Sequence, residues 1–125
     1  MKRLLATAIV LAGFVAGCFA PSVPVPPPAP ESMSFALDLA AGTATYSANL
    51  GGDWGDSWVT VFDDTTGKGA IDRSDPAGNV GPTAPWRAND GDRVRVVFQR
   101  DDGEVSGLCL ILRGGASNSG NRCPN

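Results

Sequence analysis

Three cysteines, no histidine and thirteen acidic side chains set the chemistry open to this chain of 125 residues. Hydrolysis by a Ser-His-Asp or Cys-His arrangement needs an imidazole that takes up a proton near neutral pH, and the sequence contains none. Paired carboxylates are the other route to bond cleavage, and the candidates are Asp63 with Asp64, and Asp101 and Asp102 with Glu104. A glycosidase would hold two such groups about 5 to 9.5 Å apart across a cleft. Each group here instead lies in a stretch that reads as a tight turn, where an aspartate side chain bonds its own backbone. Calcium is an alternative use for Asp53, Asp56, Asp63, Asp64, Asp72 and Asp75, but the spaced D-x-D-x-D-G loop that delivers six to eight oxygens is missing. Thr65-Thr66-Gly67-Lys68-Gly69 lacks the first glycine and the Lys-Ser/Thr pair of a phosphate loop and reads as a turn. The expectation is therefore no catalytic residue, no metal and no cofactor.

Two further sets of residues can act without catalysis. Trp54 sits among Gly51, Gly52, Asp53, Gly55 and Asp56, and Trp86, next to Arg87, follows Gly81-Pro82-Thr83-Ala84-Pro85. Exposed indoles beside polar groups stack on sugar rings or grip a protein partner, so Trp54, Trp86 and Arg87 are the candidate ligand-binding residues. The competing reading folds both indoles over the ends of a core. Cys109 and Cys123 form an even pair once Cys18 is set aside, and in an oxidising compartment they should bridge. Closing a loop of that size contributes about 3 kcal/mol on the chain-entropy model. Free or metal-binding thiols fit less well, because a metal site needs further ligands and there is no histidine.

The N-terminal residues say where such a domain would be stationed. Lys2 and Arg3 precede an apolar run from Leu4 to Ala16, thirteen residues long, which is short of the roughly 20 that a membrane span needs. The run ends in Val15-Ala16-Gly17-Cys18. This ending resembles the bacterial lipobox, in which small residues precede a cysteine whose sulfur receives a diacylglyceryl group. The resemblance implies a lipoprotein signal peptide over residues 1–17 and acylation of Cys18, with the membrane as partner through the acyl chains. In a two-membrane bacterium Phe19, in place of an aspartate, implies the outer membrane. Ordinary secretion with cleavage after Ala20 is the alternative and gives a soluble protein. Removal of Lys2 and Arg3 leaves eight basic residues against thirteen acidic ones, a poor balance for binding nucleic acid.

Residues 18–30 form a tether: six of the ten residues from Pro21 to Pro30 are proline, which favours extended polyproline II. Residues 31–125 read as one all-β domain. Short alternations at Phe35–Leu39, Ala44–Leu50, Trp58–Phe62, Gly69–Asp72, around Val80, at Arg93–Phe98 and at Val105–Leu112 are separated by Gly, Asp, Asn and Pro clusters. The last two form the most secure hairpin, turned by Asp101-Asp102-Gly103-Glu104. About seven short antiparallel strands with frequent turns suit an immunoglobulin-like β-sandwich better than a closed barrel. The expected core is Phe35, Leu37, Leu39, Tyr46, Leu50, Val59, Val61, Ile71, Val94, Val96, Phe98, Leu108, Leu110 and Leu112, with Trp58 in the core or half-buried. Arg93 and Arg95 share an outward face.

The segments from Val61 to Gly69, Asp75 to Val80 and Ala88 to Val94 are similar to bacterial immunoglobulin-like surface modules, with their "TTG", "D-x-x-G" and "GD" turns. The resemblance implies a spacer or interaction domain of an exported protein, with no shared catalytic residues. Together these readings predict a lipid-anchored, noncatalytic envelope protein that serves structure or protein interaction. The alternative is a glycan-binding module that uses its loop tryptophans.

Overall fold

The computed structural model describes residues 25–114 and 122–124. The signal segment, Cys18, the first part of the tether and most of the Gly/Ser/Asn-rich tail lie outside the described residues.

Eight strands form two antiparallel sheets, one more strand than the sequence suggests: β1 (Met33–Asp38), β2 (Thr43–Asn49), β3 (Trp58–Asp63), β4 (Gly69–Arg73), β5 (Asn79–Val80), β6 (Trp86–Arg87), β7 (Arg93–Gln99) and β8 (Val105–Ile111). The first sheet is ordered β1-β2-β5, with β6 also paired to β2; the second is β4-β3-β7-β8. The extra strand is β6, whose two residues after Pro85 are too few to show an alternation. It shares the outer edge of β2 with β5: Val80 is opposite Ala48, and Trp86 is opposite Ala44.

Between β5 and β6 the edge is completed by a side chain. Thr83 donates its amide to the Tyr46 carbonyl at 3.0 Å, and its hydroxyl oxygen accepts the Tyr46 amide at 3.1 Å. The hydroxyl thus stands in for a ladder carbonyl where Pro82 and Pro85 interrupt the strand. Gly81 makes this approach possible. It has a φ of 84°, and a Cβ there would collide with the Tyr46 carbonyl oxygen.

The period of two along each strand fills the space between the sheets. Met33, Phe35, Ala44 and Tyr46 point inward from the first sheet, and Val59, Val61, Val94, Val96, Phe98 and Leu110 from the second. Two expected core residues are outside. Leu39 is 66% exposed because β1 has already ended in a turn, where the Asp38 carboxylate accepts the Ala41 amide at 3.0 Å. Ile71 is 68% exposed because its register partner is Thr60, on the outer side of β3. In Gly69-Ala70-Ile71-Asp72-Arg73 a single large apolar residue cannot fix the phase, and a one-residue shift reverses every side chain. Leu37 and Leu108 pack against the margin of the core, and Trp54, Val80, Trp86 and Ala88 belong to it.

The second half of the proline-rich segment lies against the domain. Val25 donates its amide to Glu104 Oε1 at 2.7 Å, Trp54 Nε1 donates to the Pro26 carbonyl at 3.1 Å, and Pro28 and Pro30 are buried. The packed unit therefore includes Val25 to Pro30, part of the stretch that composition alone assigns to the tether.

Candidate interaction face

The indoles singled out from the sequence are core residues. Trp54 closes a short 3-10 turn (Gly52–Trp54) and is 1% exposed, with its ring 5.8 Å from that of Phe98. Trp86 is 4% exposed and meets Phe35 edge-on at 6.3 Å. Neither indole is open to a sugar ring, and each packs on a different phenylalanine. Arg87 is exposed, and its carbonyl accepts the Thr66 hydroxyl at 2.8 Å. Cys109 and Cys123 are bridged, with Cα atoms 5.4 Å apart. The bridge is reinforced by the Cys123 amide, which donates to the Cys109 carbonyl at 3.0 Å.

Several carboxylates act locally. Asp75 accepts the Ala77 and Asn79 amides and Asp102 accepts the Glu104 amide, and among the described residues no three potential metal ligands come together. Amides donated to Asp75, first that of Asn79, hold its carboxyl below the ordinary value.

Asp63 combines a local turn with burial. It points into the core from the end of β3 and is fully buried; Oδ1 accepts the Thr65 and Thr66 amides at 2.9 and 3.1 Å, while Oδ2 has no donor. Burial and the neighbouring Asp92 carboxyl push Asp63 up to about 6, against the pull of the two amides. The sequence marks Asp63 as a turn residue but carries no signal that Asp92, nearly thirty residues later, folds against it.

The folded state thus keeps this proton to a higher pH than the unfolded chain, whose carboxyl titrates near 3.8. Stability should fall as pH rises from about 4 to about 6 and then level off. Asp63→Asn keeps the acceptor for the turn amides and offers an NH2 to Asp92. Thermal melts from pH 4 to 8 should show that this variant lacks the decline and is the more stable form at pH 7.5. An unchanged slope would assign the effect elsewhere.

The two outer faces differ sharply. On the first sheet the outward residues include Ser34, Ala36, Asp38, Thr43, Thr45, Ser47 and Asn49, all small or polar. On the second sheet they include Trp58, Phe62, Ile71, Val97 and Val105, which are five of the six large hydrophobics exposed among the described residues. Trp58, 48% exposed, is an outward residue here and not a core one. Arg73 lies over its ring at 5.0 Å, and Arg95 lies over Phe62 at 5.5 Å. Each arginine is held by an acid: Arg73 pairs with Asp101 at 3.1 Å and Arg95 with Asp64 at 2.8 Å. These exposed pairs contribute little stability, but they fix the guanidinium planes against the rings. The result is an apolar centre with a charged rim, the anatomy of a protein-binding patch. The outward direction of Arg93 and Arg95 follows from local alternation; the alignment of apolar residues beside them comes only with the pairing of four strands.

The chain matches no protein-family model. Neither the curated proteins nor the solved structures compared with it gave a match.

Proposed function

We propose that this chain is a lipid-anchored, noncatalytic envelope protein whose β4-β3-β7-β8 face binds another protein. The observation that carries the reading is the inequality of the two outer faces. A domain serving only as a spacer would have no use for aromatic and aliphatic side chains gathered on one side. The absence of histidine and the use of carboxylates in turns support a noncatalytic role. Counting β5 and β6 as one interrupted strand, the sheet orders 1-2-5 and 4-3-6-7 support the immunoglobulin-like reading at the level of topology. Fold alone does not assign function. The burial of Trp54 and Trp86 leaves the glycan reading without the indoles it was built on.

The anchor rests on Val15-Ala16-Gly17-Cys18. Intact-mass measurement of the mature N-terminus should find Cys18 carrying acyl chains, and the protein should enter the detergent phase on partition. Cys18→Ser should move it to the aqueous phase. An unmodified N-terminus at Pro21 would refute the anchor. Addition of polysaccharide should leave indole fluorescence unchanged; a saturable shift would favour the glycan alternative.

A further inference from the structure

The partner of the apolar face can be identified from the strand register. We infer that it is the same face of a second copy of this chain, related by a two-fold axis that runs along the strands between β3 and β7. The inference rests on the lipid-anchor reading for its orientation and on the structure for its fit.

With Val25 fastened to Glu104 and Pro26 to Trp54, only six residues, Phe19 to Pro24, separate the lipid-bearing residue from the fastened chain. Six residues of any conformation span at most about 22 Å. The fastening points lie at the end of the sandwich that carries the β7–β8 turn. Copies in one membrane therefore stand with the same end down and present this face sideways at one height. A two-fold axis along the membrane normal is the symmetry open to such a pair.

That axis lays β4 of one copy over β8 of the other and β3 over β7, row upon row. Ile71 then meets Gly107 of the second copy, the one outward position of the face's middle row with no side chain. Phe62 meets Arg95 of the second copy, a guanidinium already oriented for a ring face. Arg93 makes no ion pair among the described residues; its guanidinium lies 3.8 Å from Cys109 Sγ. It meets Asp64 of the second copy, since Asp64 borders Arg93 across the β3–β7 pair, where its amide donates to the Arg93 carbonyl at 2.9 Å. Size and charge are thus complementary at three places, each repeated by symmetry.

Four strands about 4.8 Å apart, with a length of five to seven residues, give a footprint of roughly 400 Å² per copy. That is about half the roughly 800 Å² per partner of a standard specific interface and falls in the range of weak encounters, so the pair is weak in free solution and is favoured by confinement to a membrane.

Lys68 is the only lysine once the signal is removed, so amine-reactive donor and acceptor dyes mark each copy at one side chain. Full-length acylated protein, mixed in phosphatidylethanolamine–phosphatidylglycerol vesicles and diluted with lipid until chance encounters vanish, should retain energy transfer. Arg93→Asp alone sets two carboxylates against each other at this contact, and Asp64→Arg alone sets two guanidinium groups against each other. Each variant by itself should lose transfer at least fivefold. Mixing the two variants brings opposite charges together at both symmetry-related contacts and should restore transfer. Gly107→Leu should abolish it by filling the space that Ile71 needs. Within its own chain that substitution is tolerated, because a Cβ at Gly107 meets nothing nearer than 3.5 Å. Single variants that transfer like wild type, or a mixture that stays dark, would overturn the inference. If mass analysis finds Cys18 unmodified, the same mixtures titrated in solution decide the pairing separately from the anchor: recovery in the mixture keeps it, and no recovery removes it.

Discussion

Trp54→Ala should destabilise the domain by about 3–5 kcal/mol, the range for truncating a fully buried large aromatic. Several groups lose their partner at once. The ring packs on Phe98 and under the Arg100 guanidinium, and the indole N–H holds Pro26. For a domain of this size the loss corresponds to a fall in Tm of roughly 12 °C or more, measurable by circular dichroism. Trp54→Phe separates packing from fastening. It retains most of the apolar volume but not the donor, so the melt should move little while the segment before Pro28 becomes open to limited proteolysis. Equal protease resistance in Trp54→Phe and wild type would show that the hydrogen bond to Pro26 does not hold the segment.

Replacing both Cys109 and Cys123 with serine should cost about 3 kcal/mol, from the entropy restored to the unfolded chain. The two residues are 14 positions apart, and the bridge draws the chain end back to β8. Hydrogen exchange should report the change first at the amide of residue 123, which donates to the Cys109 carbonyl. Reductant should lower the melting temperature of the wild type to that of the double variant and leave the double variant unmoved. A wild-type melt insensitive to reductant would mean that the bridge contributes nothing to folding.

The parts of this fold that are legible from sequence are those fixed by local rules. Val94, Val96 and Phe98 alternate with charged neighbours, and Asp101-Asp102-Gly103-Glu104 is turn chemistry, so the β7–β8 hairpin can be read directly. The disulfide follows from counting cysteines. What cannot be read depends on partners distant in the chain. Trp54 and Trp86 are surrounded by Gly, Pro and Asp, a loop composition that suggests exposure. Their burial is decided by Phe98 and Phe35, which lie some forty to fifty residues away. The phase of β4 depends on its pairing with Thr60, and the Asp63–Asp92 contact on the meeting of β3 with β7. The proposed interaction face is of the same kind: each of its residues is ordinary alone, and only the four-strand register sets them side by side.

Three of the four sheet borders are blunted, and β1 is the one left open. The chain end lies along β8 through Cys123 and Arg122, while Pro82 and Pro85 interrupt the border beside β2, and β4 is only five residues long. An open strand border is a template onto which a neighbour's backbone can zip, and a crowded, anchored population would supply neighbours continually. With strand pairing open only at β1 it cannot propagate, so molecules can meet side against side and separate again without growing into ribbons.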